Sequence, residues 1–247
     1  MKGRPLVLGS LGLLGFLALW WGLALNFPPY LFPPPLTVGA ALAKMAVTGE
    51  LFYHLGATLL RTTLAFGASL VVGTLLGIPM GLVKPLYDAA YPVLNAIQAV
   101  PALNWIFFAI IWFGLVPASP VFVIFIVTLP IFMIGTIEGI KDVDPNLRAM
   151  ARSFGANRRL VLADILIPSI LPHIFAALRV GIGFALKLAM FVEMIMTSRG
   201  AGYAATLAKD YTQTEKVFAW TLVMIGVILV FENVIFRRAE ALVIRWK

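Results

Sequence analysis

Residues 119–140 read SPVFVIFIVTLPIFMIGTIEGI and carry a single charged side chain, that of Glu138. A helix that crosses a bilayer needs about 20 predominantly apolar residues, so this stretch predicts a transmembrane span. Pro130 removes one backbone hydrogen bond inside the span and predicts a kink. The whole chain of 247 residues has the same character, with 61% apolar and 12% charged residues. Soluble domains have about 45–50% apolar and about 25% charged residues. The composition therefore excludes a soluble globule and predicts an all-α polytopic membrane protein.

Five further apolar runs complete a single transmembrane domain of six spans that covers residues 1–247. They are residues 6–25, 57–83, 92–115, 171–197 and 217–236. The first run follows a basic start and also fits a signal peptide, but its length favours a retained helix. Pro101 predicts a kink in the third span. Outside the spans, residues 36–56 are expected to form one short amphipathic helix, and residues 198–216 a loop.

Small residues recur every fourth position in the second span, at Ser69, Gly73, Gly77 and Gly81. This spacing places them on one helix face, where another helix can approach closely. Arg61, at the start of the same span, is expected to extend its charged end towards the membrane surface. The absence of cysteine excludes disulfides and thiolate chemistry, and no metal site is predicted.

Lysine and arginine are unevenly divided between the two sides of the predicted bundle. With the N-terminus in the cytoplasm, the cytoplasmic segments hold twelve of them and the outer segments five. Basic residues concentrate on the cytoplasmic side of membrane proteins, so both termini are predicted to lie there. The net charge of +8 is therefore interpreted as a topology signal. Nucleic-acid binding is not expected, because no water-exposed basic domain is predicted.

The longest polar stretch, the predicted cytoplasmic loop 141–170, contains a short amphipathic helix. Asp144-Pro145 is a typical helix start, and Gly155 suits a left-handed C-terminal position. A helix of about ten residues covers about 15 Å and cannot cross a membrane. Either it rests on lipid headgroups, or it docks into a groove of a partner. A second helical piece, residues 160–167, is expected to end at Pro168. The apolar stripe of the first helix consists of Leu147, Met150, Ala151 and Phe154.

The same loop resembles the EAA loop of binding-protein-dependent ABC importer permeases. That motif reads E-A-A, three residues, G, nine residues, I-x-L-P. The chain has the matching residues Ala151, Gly155, Ile165 and Pro168. It departs from the motif at three positions, namely Ala149 in place of glutamate, Met150 in place of alanine and Ile167 in place of leucine.

Other segments are similar, in the same order, to permeases of the nitrate, sulfonate and taurine type. They are Leu31-Phe32-Pro33-Pro34-Pro35, His54-Leu55 with Thr58-Leu59-Leu60-Arg61, Val100-Pro101-Ala102, Trp112-Phe113-Gly114, and Glu193 followed by Gly200-Ala201-Gly202-Tyr203. The resemblance implies a MetI-like ABC permease fold whose short cytoplasmic helix couples to an ATPase. The residues that it assigns to the coupling contact are Leu147, Met150, Ala151, Phe154, Gly155, Ile165 and Pro168.

The chain has no G-x-x-x-x-G-K-[ST] phosphate-binding loop. It is therefore expected to be a transport subunit without a cofactor of its own, and ATP and Mg²⁺ are expected on a separate ATPase subunit. The resemblance implies two ATPase subunits, a second permease (an identical copy or a paralogue) and an external substrate-binding protein. It also implies a multi-pass location in the inner membrane, among lipid, and import by alternating access of a small solute, for instance an anionic sulfonate or nitrate.

Polar residues inside the spans are candidates for the solute pathway, because they are costly in lipid and usually face a cavity or one another. Lys187 and Glu193 lie in the fifth span, and Gln98 and Asn104 flank Pro101. For each residue, bonding to a neighbouring helix or loop is the alternative. A secondary transporter or channel would show related halves, and none is found. A lipid-modifying membrane enzyme would need clustered aspartates or histidines at one face, which the chain lacks.

Overall fold

A computed structural model of the protein describes residues 4–155, 157–236 and 238, and all regular structure in this part of the chain is helical. Two π-helical stretches, Leu162–Leu166 and Phe231–Phe236, lie next to the ninth and eleventh helices. The α-helices are α1 (Arg4–Ala24), α2 (Pro35–Val47), α3 (Glu50–Leu82), α4 (Lys84–Ala99), α5 (Ala102–Phe113), α6 (Ala118–Lys141), α7 (Pro145–Ser153), α8 (Arg158–Val161), α9 (Ile167–Met196), α10 (Ala201–Asp210) and α11 (Thr214–Val230).

Four helical segments in the described residues are long and apolar enough to cross a membrane. The pair α4 and α5 meets the same test together but is bent by 95° at the break between them. The apolar part of α1, Leu11–Ala24, is shorter. These elements confirm the prediction of an all-α polytopic fold. The four long segments are Glu50–Leu82, Ala118–Lys141, Ala163–Met196 and Thr214–Phe236.

Helices α3 and α6 pack closely and run parallel, along the face of small residues predicted from the sequence. A Cβ atom added to Gly73 would lie 2.7 Å from Cβ of Phe132, and one added to Gly77 would lie 2.7 Å from Cβ of Thr136. Ser69 donates a hydrogen bond to the carbonyl of Phe125 over 2.9 Å. The predicted close approach is thereby confirmed, and only residues without a large side chain allow it.

Helix α9 runs antiparallel to α6, so the bundle has two distinct ends. Gly139 of α6 lies against Ile170 and His173, near the start of α9. We call this end, which also carries α7, the α7 end. Near the far end of α9, Glu193 contacts the first turns of α3. We call this opposite end the Glu193 end.

The prediction that residues 92–115 form one kinked helix is wrong, because two helices cover this stretch. Helix α4 already begins at Lys84, and the helical path stops at Val100, which has an extended backbone with φ −71° and ψ 121°. The ring of Pro101 disfavours a helical conformation of the residue before it. Leu94 of α4 packs in the cluster of Met80 and Leu129, whereas Ile106 of α5 belongs to the main core.

The prediction of a single helix over residues 36–56 is also wrong. Gly49 adopts a left-handed backbone, with φ +79°, and separates α2 from α3. Because an L-residue is strained in this conformation, the glycine sets the boundary at which α3 begins. Helix α3 therefore extends seven residues beyond the predicted span, from Glu50 onwards.

Two further boundaries differ on the C-terminal side of α7. The helix predicted to end at Pro168 continues instead through the π-helical stretch into α9, where Pro168 occupies the first turn and needs no backbone donor. The predicted loop 198–216 contains α10, whose alanines favour a helix and are buried at Ala201, Ala204, Ala205 and Ala208. Of the predicted cytoplasmic cations, Lys2, Arg237, Arg245 and Lys247 lie outside the described residues.

Candidate functional site

Helix α7 begins and ends as its sequence predicts. The backbone N–H of Asn146 donates to Oδ1 of Asp144 over 2.8 Å, which caps the first turn. At the other end, Phe154 N–H donates to the carbonyl of Met150 over 3.1 Å, and Gly155 takes the left-handed conformation with φ +77°. The carboxylate cap and the glycine thus limit α7 to a short surface helix.

The apolar stripe of α7 is not covered by the rest of the described chain. Leu147 is 45% exposed, Met150 53% and Phe154 85%, whereas Ala151 is half-buried. Two large apolar side chains on this nine-residue helix, and a third on the residue that follows it, form a surface that a partner or lipid can cover. The side chains of Arg148, Ala149 and Arg152 lie outside the description.

Predicted coupling residues from α7 and from the segment before and at the start of α9 meet in one cleft beside α7. A cavity of about 300 Å³ lies between Leu147 of α7 and the segment that leads into α9, where Ile165 and Pro168 line it. The structure therefore brings together three of the seven predicted coupling residues. Met150 and Phe154 extend the same surface away from the cleft.

The base of α7 is fixed to the bundle by the two residues that precede Asp144. Val143 is buried with Ile140 and Leu166 in a small apolar cluster. Oδ2 of Asp142 lies 3.0 Å from Nε2 of His173 on α9. These contacts connect the start of α7 to the end of α6 and to α9, two of the three helices around one cavity of the described residues.

This cavity, of about 580 Å³, lies between α4, α6 and α9. Its wall is mostly apolar and includes three polar side chains, Gln98, Glu138 and His173. Nδ1 of His173 is buried without a hydrogen-bond partner. Gln98, one of the predicted pathway residues, is thus placed on a cavity wall, while Asn104 is exposed and does not line this cavity.

Lys187 is exposed on α9 and forms no hydrogen bond or ion pair with the described residues. Val180, Phe184 and Phe191 recur on the same helix face and are exposed as well. The alternative interpretation, a bond from Lys187 to a neighbouring helix, is not found among the described contacts. The ammonium group of Lys187 lies instead on a helix face that the described residues leave uncovered, one turn from the cavity residue Phe184.

Glu193 is 1% exposed, and its carboxylate is fully engaged at the Glu193 end. Oε1 accepts a hydrogen bond of 2.7 Å from Nη1 of Arg61, and Oε2 accepts one of 2.7 Å from the hydroxyl of Thr58. Oε2 also accepts from the backbone N–H of Gly202 over 3.2 Å. Structural bonding to the segment after α9 is therefore found, and the carboxylate is not free to contact a solute.

Two glycines permit this arrangement. A Cβ atom at Gly200, whose φ is +133°, would overlap the carboxylate of Glu193, and one at Gly202 would overlap the carbonyl of Met190. Thr58 completes the junction, because its hydroxyl accepts the N–H of Ala201 over 2.8 Å. The cluster thus joins α3, α9 and α10 through buried polar groups, each of which has a partner.

Sequence analysis did not identify Arg61 as the partner of Glu193. The two residues are 132 positions apart, so no local pattern links them. The available signals were the spacing of Thr58 and Arg61, which puts both on one helix face, and the glycines soon after Glu193.

Residues 69–245 match the family described as "Binding-protein-dependent transport system inner membrane component". The chain belongs to this family. The permease is 30% identical over 221 residues to the taurine transport system permease protein TauC of Escherichia coli (strain K12), a match that covers 87% of this chain and 80% of that protein. It is 28% identical over 215 residues to the putative aliphatic sulfonates transport permease protein SsuC of Bacillus subtilis (strain 168), covering 87% and 78%. The nitrate import permease protein NrtB of Synechocystis is 33% identical over 147 residues, covering 60% and 54%.

Solved structures show the same fold. A chain of the inward-facing MetNI methionine ABC transporter superimposes with a TM-score of 0.62 at 14% identity and covers 75% of the permease and 94% of that chain. A chain of an amino acid ABC transporter solved with histidines superimposes with a TM-score of 0.59 at 22% identity. The match covers 83% of the permease and 97% of that chain. The expected MetI-like fold is confirmed, and the permease is the multi-pass inner-membrane transport subunit of an ABC importer. Such permeases work with an ATPase and a substrate-binding protein.

Proposed function

We propose that this permease imports a small anionic solute. Its transport is driven by an ATPase that binds α7 in the cytoplasm. The observation that carries the proposal is the exposed apolar stripe of Leu147, Met150 and Phe154, which the described residues leave uncovered beside a helix too short to span a membrane. An amphipathic helix that lies in an apolar groove is a common mode of recognition between proteins. ATP and Mg²⁺ would bind to the partner, and this chain would carry no cofactor.

The arrangement of the helix ends supports a cytoplasmic position for both termini. Thr214 at the start of α11 donates a hydrogen bond to the carbonyl of Tyr30, which follows α1, over 2.6 Å. Lys216 pairs with Glu50 over 2.9 Å, so this junction belongs to the Glu193 end. The start of α1 and the end of the last π-helical stretch then point towards the α7 end. With the α7 end in the cytoplasm, both termini lie there, as the distribution of basic residues predicts.

The uncovered face of α9 supports a pathway formed between two permeases, either identical copies or paralogues. In one permease chain, the cavity that Gln98 lines lies on one side of α9. Lys187 lies on the exposed face of α9 next to this cavity. In a complex with two ATPase subunits and an external binding protein, ATP-driven movement of α7 would open this region to alternate sides. The driving requirement is a different affinity of ATP for the two states.

An anionic solute agrees with the cation Lys187 on that face. A lysine inside a membrane-spanning helix is costly unless it pairs with an opposite charge, and a passing anion supplies that charge. The names of the relatives refer to taurine, aliphatic sulfonates and nitrate, all of which carry a negatively charged oxygen group. We therefore propose a sulfonate or a nitrate-like anion as the solute class.

The docking proposal is tested by Phe154→Asp, with Tyr211→Asp as the matched control. Both aromatic side chains are strongly exposed, at 85% and 69%, but Tyr211 follows α10 at the Glu193 end. The ATPase should co-purify with the control variant and be lost from Phe154→Asp, because a carboxylate cannot be buried unpaired in an apolar groove. Retention of the ATPase and full uptake by Phe154→Asp would refute the docking of α7.

A further inference from the structure

A second cavity lies at the Glu193 end, away from the cavity that Gln98 lines. It has a volume of about 470 Å³ and is enclosed by α3, the start of α6 and the segment between α9 and α10. Two arginines, Arg61 and Arg199, are among the residues that line it, beside Ser198. The wall below them is apolar and includes Leu60 and Leu64.

Arg61 has hydrogen-bond donors left over after its ion pair with Glu193. Its Nη1 atom makes both of the hydrogen bonds that the described residues offer, to Glu193 and to the carbonyl of Arg199, each 2.7 Å long. The Nε and Nη2 atoms donate to no described acceptor, and they are not among the fully buried polar atoms without a partner. Since Arg61 lines the cavity, these donors are available to an occupant.

The positive charge of the cavity exceeds the negative charge around it. Glu193 is the carboxylate paired with Arg61, and no carboxylate of the described residues pairs with Arg199. The guanidinium of Arg199 lies 5.5 Å from the ring centre of Tyr53, a contact that leaves its donors free for other groups. Two guanidinium groups over an apolar wall favour an anion with several acceptor oxygens, which can accept paired hydrogen bonds.

We propose that Arg61 and Arg199 form a binding site for an oxyanion, a sulfonate or a phosphate group, at the Glu193 end of the permease. Such a group has two sources, a free sulfonate solute and the headgroup of a phospholipid. Leu60 and Leu64 are both 57% exposed on the α3 face below the arginines, and Val71 and Leu75 continue the exposed apolar surface of α3. An acyl chain fits this surface. The solute source rests on the proposed function, whereas the lipid source does not.

The test uses the purified complex with Arg199→Gln, Arg61→Lys and the control Lys209→Gln. Lys209 is an exposed cation at the same end that pairs with Asp210 and does not line the cavity. Arg61→Lys keeps the charge beside Glu193 but removes the spare donors, and a thermal unfolding curve checks that it folds. The probes are dioleoylphosphatidylglycerol counted by native mass spectrometry, with phosphate-free dioleoylglycerol as the blank, and ethanesulfonate titrated in detergent by calorimetry.

Either arginine variant is expected to weaken binding about tenfold, the effect of one charge-assisted hydrogen bond, while Lys209→Gln binds like the wild type. Weaker binding of the phospholipid supports the lipid source, and weaker binding of ethanesulfonate supports the solute source. The site is overturned if the wild type retains neither probe, if both arginine variants bind as the wild type does, or if Lys209→Gln loses as much. ATPase co-purification is scored on the same samples, so a failure of this site is separable from a failure of the proposed function.

Discussion

Nη1 of Arg61 lies 2.7 Å from Oε1 of Glu193, so an ion pair between residues 132 positions apart joins α3 to α9. The side chain of Glu193 is 1% exposed and that of Arg61 13%. Thr58 and Gly202 satisfy the second carboxylate oxygen. The pair therefore acts as a buried junction at the Glu193 end, while the surface proposed to receive the ATPase lies at the opposite end.

Glu193→Gln is expected to destabilise the permease, because it leaves the partly buried charge of Arg61 without its counter-charge. Breaking a buried pair by removing one partner costs about 3–5 kcal/mol. Asp210→Asn is the matched control, since it breaks an exposed pair with Lys209 that is worth about 0–1 kcal/mol. The measurement is the free energy of unfolding of each purified variant. Equal stability of the two variants would show that the buried pair does not hold α3 against α9.

Gly77→Ala is expected to disturb the packing of α3 against α6. Its Cβ would lie 2.7 Å from Cβ of Thr136 and 2.9 Å from the carbonyl of Met133, and overpacking costs about 1–3 kcal/mol. Gly67→Ala, on the same helix, meets nothing within 4 Å and should be stabilised by about 0.5–1 kcal/mol through helix propensity. Thermal unfolding of both variants measures the difference. A Gly77→Ala protein as stable as Gly67→Ala contradicts the close approach.

Lys187→Gln is expected to slow the uptake of an anionic solute, because it removes the cation from the exposed face of α9. A loss of about tenfold corresponds to ~1.4 kcal/mol of interaction with the anion. Lys187→Arg retains the positive charge and should retain most of the uptake. Transport into proteoliposomes measures the rates, with ATPase co-purification as the check on assembly. If Lys187→Gln transports the anion at the rate of the wild type, Lys187 does not face the pathway.

Local sequence patterns predicted the elements whose conformation depends on near neighbours. The cap at Asp144, the left-handed Gly155 and the small-residue face through Gly73 and Gly77 are all found. Each depends on residues within a few positions or on a fixed helical spacing. The helix over 119–140 was likewise predicted almost to its bounds, since Pro117 precedes its apolar run and the charged residues Lys141 and Asp142 follow it.

The features that the sequence did not predict depend on contacts between distant segments or on a single backbone angle. The pairing of Arg61 with Glu193 requires knowledge of how α3 meets α9. Pro101 predicted a kink, but not a break of the helix with a 95° bend, and Gly49 sets the start of α3 through a left-handed backbone that a hydropathy pattern does not report. Helix α10 was missed because its alanines are too few and too small to produce an apolar run, although they are buried.

The central claim is that α7 contacts the ATPase, and chemical cross-linking tests it most directly. The chain contains no cysteine, so Phe154→Cys and the control Tyr211→Cys each introduce one thiol, at opposite ends of the bundle. In membranes that contain the assembled importer, a short bismaleimide reagent should join Phe154→Cys to an ATPase carrying a cysteine in its groove and leave Tyr211→Cys unlinked. A cross-link from Tyr211→Cys in place of Phe154→Cys, or none from Phe154→Cys in a complex that still transports, would contradict the claim.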